Sequence, residues 1–222
     1  FAEINAKYKI RQPNDLDHEK RKINQYKSEV FEKQILNKLR QQYGNIQFPK
    51  IHFVNHHLAH ACTAFLTSGI QESLVLTIDG SGEEVTIAVW HGKGNTLSLL
   101  KEVKTPISLG WFYSAFTEYI GFHAYGDEWQ VMGMASYGYK SDDYFGAKKK
   151  FSDVIWDDGQ GGIDGNPHLI SLGEKSFSDY CSDALVTHMQ KPNRTSNQEI
   201  EQWHKDFALA ALPYPFGPYY GN

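Results

Sequence analysis

The sequence predicts an α/β fold on three grounds: three short β-type runs with tight turns between them over residues 73–100, helical spacing of apolar residues on both sides of that run, and a composition suited to a buried core. The chain has 222 residues, 41% of them hydrophobic and 14% aromatic, which is enough apolar material to rule out disorder along its whole length. Lysine and arginine total 22 against 26 acidic residues, a formal charge of -4. That balance leaves no positive excess for a phosphodiester backbone, so nucleic acid is not an expected partner. No stretch approaches eighteen uninterrupted apolar residues, and the opening Phe1-Ala-Glu-Ile-Asn5 lacks the basic-then-apolar order of a secretory signal. A membrane partner is not expected. Cys62 and Cys181 share no metal-ligand or disulfide spacing, and a reducing, cytoplasmic setting is expected.

From the N-terminus, Leu16 to Leu39 carries Ile23, Tyr26, Val30, Ile35 and Leu39 near one helical face, with Glu29 and Lys33 paired at i,i+4, so an amphipathic helix packed on a sheet is expected. The basic run Lys20-Arg-Lys22 has acidic neighbours and reads as a solvated face. Ile51, Phe53 and Val54 suggest a short strand, running into a helix with Leu58, Ala61, Cys62, Phe65 and Leu66. Ser73–Asp79, Val85–Trp90 and Thr96–Leu100 then form an antiparallel meander, broken at Gly80-Ser81-Gly82 and at residues 92–95. Ser108 caps a helix striped with Phe112, Ala115, Phe116, Tyr119 and Ile120. Residues 141–175 are polar and glycine-rich and read as a long surface excursion. Two further helices are expected. One starts near Ser176 with Phe177, Cys181, Ala184, Leu185 and Met189; the other follows a Ser196-x-x-Glu199 capping box with Ile200, Trp203, Phe207 and Ala211 inward. The sequence shows no repeat of 20 to 50 residues.

Chemistry concentrates in Asn55-His-His-Leu-Ala-His60. On a helix starting there, His56 and His60 stand one turn apart on one face and can share a metal ion. Spacing by itself is weak support, because ten histidines produce such pairs by chance, as His52 with His56 shows. Position adds to it, since side chains at strand ends gather into sites in open α/β sheets. Asp79 closes an apolar strand, where a carboxylate needs a cation or donors to offset its burial; it equally suits the start of an Asp-Gly turn. Gly80, Ser81 and Gly82 free the backbone to aim amides at an anion, although most such turns are structural. Met132 and Met134 around Gly133 suit core filling. His57 faces elsewhere on the helix and reads as solvent-exposed, with a base or supporting role as the alternative. His91, His123, His168, His188 and His204 have no assignable partner, and Cys62 reads as a small core residue.

Four blocks in order, Asn55-His-His-Leu-Ala-His-Ala61, Ile78-Asp-Gly-Ser-Gly-Glu83, Ser108-Leu-Gly-Trp-Phe-Tyr-Ser114 with Tyr119-Ile-Gly-Phe122, and Val131-Met-Gly-Met-Ala-Ser-Tyr-Gly138, resemble the O-carbamoyltransferases that tailor nodulation factors and antibiotics. The resemblance implies part of the duplicated fold of actin, sugar kinases and chaperone ATPases. It implies that His56, His60 and Asp79 are metal ligands, with Fe2+ the usual ion and a further carboxylate beyond residue 222. It also implies that Gly80, Ser81 and Gly82 form a phosphate loop, with Gly133 among the nucleotide-binding residues. Gln130 departs from the family, where a lysine is common before Val-Met-Gly.

On this reading residues 1–69 end the first half of the duplicated fold, 70–212 begin the second, and 213–222 are an irregular tail rich in proline and tyrosine. Both halves are then incomplete, and the chain reads as a fragment. The function expected by resemblance is a carbamoyltransferase. An adenylate-forming domain elsewhere in the full-length chain makes carbamoyladenylate from carbamoyl phosphate and ATP, and the carbamoyl group passes to a hydroxyl of a small-molecule acceptor. His57 is the candidate to accept the hydroxyl proton. The alternatives are a metal-dependent hydrolase and a non-catalytic metal- or nucleotide-binding module.

Overall fold

A computed structural model of the chain describes residues 27–166, 168–169 and 180–212. Among these the architecture is mixed α/β: a three-stranded antiparallel sheet, a two-stranded hairpin and seven helices. The chain divides into two compact units, with the border between Ala59 and His60.

In the first unit, α1 spans Ser28–Tyr43. The Leu16–Tyr26 part of the expected helix and the Lys20 run lie outside the described residues. No residue of α1 is buried, so the inward face expected of it is not formed: Val30 is exposed and Ile35 and Leu39 are half-buried. The strand expected at Ile51–Val54 is absent. Residues 46–55 carry no regular structure, because alternating apolar residues become a strand only beside a partner that takes their backbone hydrogen bonds. Helix α2, His56–Leu66, starts where expected; Asn55 Oδ1 accepts from the Leu58 amide at 2.9 Å and caps it.

The second unit is built on β1 (Glu72–Gly82), β2 (Val85–Lys93) and β3 (Thr96–Lys104), the expected meander in the order β1-β2-β3. Central strand β2 is the most buried, and the ring of Phe65 from α2 packs closely on its Gly92. A Cβ there would sit 2.7 Å from the ring, so the glycine permits the approach. Helix α3 (Leu109–Tyr119) follows, capped by Ser108 as expected. It drives Phe112 and Phe116 into the core, where both meet Phe151 edge-to-face at 5.4 and 5.2 Å.

The later chain departs further from expectation. Glu128–Ala135 forms helix α4, which buries Met134 but leaves Met132 exposed. Residues 141–175 are not simply a surface excursion. Helix α5 (Asp142–Phe151) buries Tyr144, Ala147 and Phe151 at i, i+3 and i+7, and the hairpin β4 (Ile155–Asp157) with β5 (Ile163–Gly165) buries Ile155. Three inward residues per two turns suffice to dock a helix whose remaining positions are polar. Helix α6 runs Asp183–Met189 behind a Ser182 cap; the expected start near Ser176 and Phe177 lies outside the described residues. Helix α7, Gln202–Ala211, begins six residues after Ser196. Its capping box is Glu201 with His204, whose Nδ1 accepts from the Glu201 amide at 2.9 Å, and not Ser196 with Glu199. Phe207 and Ala211 are buried as expected, Trp203 is half-buried and Ile200 is exposed.

Candidate metal centre

Helix α2 presents two faces that matter. His57, Ala61 and Phe65, spaced by four, are its buried face, and His57 is 1% exposed. The expectation of a solvent-exposed His57 is therefore corrected, and the i, i+4, i+8 spacing to Ala61 and Phe65 was the signal for it. Its ring meets that of His56 edge-on, with centroids 5.3 Å apart. His56 and His60 lie one turn apart on the neighbouring face, and the His60 side chain is 58% exposed.

Strand β1 brings the carboxylate. Pairing with β2 is regular as far as Ile78 opposite Ile87 and resumes at Gly82 opposite Val85. Asp79, Gly80 and Ser81 thus face Thr86 alone and bulge from the ladder. The strand continues through Gly82, and the tip of the hairpin is Glu83-Glu84, with Glu83 at φ 61°. The break expected at Gly80–Gly82 is corrected to a bulge within the strand. From this bulge Asp79 reaches His60: its Oδ2 lies 3.5 Å from His60 Nε2. One donor atom from each of His56, His60 and Asp79 lies within 4.8 Å of the other two.

The bulge is held from behind. Ser108 Oγ donates to the Gly80 carbonyl at 2.7 Å while accepting from the Trp111 amide at 3.1 Å. Gly110 packs on the Asp79–Gly80 peptide, and Trp111 and the Tyr125 hydroxyl stand over Gly80. The Gly80 amide donates to Asp79 Oδ1 at 2.7 Å, so it is already engaged. Gly133 lies apart from this arrangement on an exposed turn of α4, with nothing within 4 Å of where a Cβ would stand.

Residues 4–155 match the carbamoyltransferase N-terminus family. The chain belongs to that family. It is 37% identical to an uncharacterized protein of Synechocystis over 131 residues, 58% of this chain and 20% of that protein. Over 101 residues, 45% of this chain and 15% of the relative, it is 41% identical to the nodulation protein NolNO of Sinorhizobium fredii. An uncharacterized protein of Methanocaldococcus jannaschii is 29% identical over 126 residues, 54% of this chain and 24% of that protein. The matched segments thus span a quarter or less of these relatives.

Two residues important to the second unit were not legible in the sequence. Arg194 is buried, donating from Nε to the Gln198 carbonyl at 2.9 Å and from Nη1 to the Ile120 carbonyl at 3.1 Å. Asp206, 2% exposed, accepts from the Tyr139 amide, Ser141 Oγ and Gln202 Nε2. Each reaches partners more than 60 positions away, which no local pattern signals. Among the described residues no helix is long and apolar enough to cross a membrane.

Proposed function

We propose that this chain forms part of the N-terminal region of a carbamoyltransferase in which His56, His60 and Asp79 hold a divalent cation, Fe2+ by family resemblance. The observation that carries the reading is the convergence of those three donors in a chain of this family. Two imidazole nitrogens and one carboxylate oxygen fit a first-row divalent metal and leave coordination positions for other ligands. When bound, such an ion supplies a Lewis acid that draws negative charge from a carbonyl oxygen.

The chain's own residues do the positioning. Helix α2 holds both imidazoles on one rigid rod, and the bulge fixes Asp79 beside them, so little rearrangement is needed to assemble the site. Asp79, Glu83 and Glu84 make this end of the hairpin acidic, and an anionic donor approaches three carboxylates favourably only with a cation between. That requirement suits carbamoyladenylate, made from carbamoyl phosphate and ATP by an adenylate-forming domain elsewhere in the full-length protein. With the Gly80 amide taken by Asp79, Ser81 is the residue of the glycine segment proposed to meet the phosphate. In the transfer, the acceptor hydroxyl bonds to the carbamoyl carbon, the bond from that carbon to the phosphate oxygen breaks, AMP leaves, and the hydroxyl proton passes to the departing phosphate or to solvent. Buried at 1% exposure and stacked edge-on against His56, His57 is better suited to orienting that ligand than to meeting the hydroxyl. The meander followed by α3 supports placing the fold in the actin and sugar-kinase superfamily.

The test gives the intact protein carbamoyl phosphate, ATP and a panel of alcohols, and reads products by mass spectrometry. His56→Ala and Asp79→Ala are expected to lower ATP-dependent carbamoylation by about a hundredfold or more and to reduce bound iron in parallel. Undiminished product from both variants removes the triad from the reaction.

A further inference from the structure

The geometry points to Ser108 and Gly110, at the start of α3, as positioning residues that set the Asp79 carboxylate for cation binding; the inference rests on the cation site proposed above. A bulge of three residues opposite one interrupts the regular ladder, and contacts from outside the ladder help to hold it in a single conformation. Ser108 is 2% exposed, and its hydroxyl donates to Gly80 O at 2.7 Å, with Asp79 O at 3.3 Å. The same oxygen caps α3 by accepting from the Trp111 amide, so the bulge is tied to the helix terminus through one atom.

Gly110 sets the distance. A Cβ added there would lie 2.6 Å from Gly80 N, 2.7 Å from Gly80 Cα and 2.9 Å from the Asp79 carbonyl carbon. These are backbone atoms, which cannot swing aside as a flexible side chain can, so any larger residue displaces the peptide that carries Asp79. The chelate tolerates little displacement, since ligand bonds hold within about 0.2 Å. Neither residue touches the ion, and their action passes through Asp79.

The experiment measures Mn2+ and anaerobic Fe2+ affinity of the intact protein by titration calorimetry well below its Tm, with circular dichroism confirming the fold. Gly110→Ala and Ser108→Ala are expected to weaken binding by on the order of ten- to a hundredfold. Two controls isolate positioning from simple structural damage. Ser182→Ala removes a remote helix cap that accepts from Leu185 N, and Gly146→Ala adds a methyl where nothing lies within 4 Å. Ser182→Ala is expected to lower Tm about as much as Ser108→Ala, and both controls to leave cation affinity unchanged. If Asp79→Ala abolishes binding while Ser108→Ala and Gly110→Ala bind as the parent does, the positioning role is wrong and the triad stands. If the parent binds neither ion, or Asp79→Ala binds as tightly as the parent, the triad falls and the positioning role falls with it.

Discussion

Asp206 shows how one buried carboxylate can organise a unit. It is 2% exposed, and its oxygens take the Tyr139 amide at 2.7 Å, Ser141 Oγ at 2.6 Å and Gln202 Nε2 at 2.9 Å, joining α7 to the chain between α4 and α5. Burial acts to raise its pKa, but the hydrogen bonds from Ser141, Tyr139 and Gln202 outweigh burial and hold the carboxyl below its ordinary 3.8. A depressed folded value means that the stabilisation is complete above 3.8 and is lost as pH falls through the lower folded value. Asp206→Asn is therefore expected to cost about 1–3 kcal/mol at pH 7, a difference that shrinks towards pH 3 in urea unfolding. An undiminished difference at low pH would show that charge contributes nothing there. The aspartate was invisible in the sequence because its partners stand up to 67 positions away.

Local patterns identified α2 and α3 because their signals are short-range: an apolar stripe in each and, for α3, the Ser108 cap. Helix α7 shows where such signals mislead. Ser196-x-x-Glu199 fits the capping pattern, yet the helix starts at Gln202 with Glu201 and His204. Burial, only partly offset by the Glu201 backbone and carboxylate, lowers the His204 pKa from its ordinary 6.5. The neutral ring accepts the Glu201 amide, so this cap is complete above 6.5 and weakens as pH falls below it. Protection against amide exchange in the first turn of α7, taken relative to the intrinsic exchange rate at each pH, is expected to fall as pH drops below 6.5, and His204→Ala to remove that pH dependence at a cost of about 0.5–2 kcal/mol. The contact between α2 and β2 admits a separate check. Gly92→Ala forces a methyl into the buried Phe65 ring and is expected to destabilise by about 1–3 kcal/mol, read by chemical denaturation; a neutral result would mean that α2 lifts freely from the sheet.

At the scale of the whole molecule, the described residues leave β1 as an edge strand with Leu74 70% and Leu76 51% exposed. An apolar edge without a neighbouring strand favours association. The 222-residue chain by itself is expected to oligomerise or precipitate, and Leu74→Lys with Leu76→Lys to raise its solubility without lowering Tm. Light scattering that reports a monodisperse parent would refute this. The matched segments span 15–24% of these three relatives.

The sequence by itself determined the mixed α/β class, the meander and the start of α2, because period, capping and glycine turns act between residues close along the chain. Tertiary structure alone decided that the glycine segment is a bulge behind a Glu83-Glu84 tip and that Tyr144, Ala147, Phe151 and Ile155 enter the core. Each of these depends on which distant backbone or ring is available to accept a hydrogen bond or exclude water, and that information resides in the packed structure.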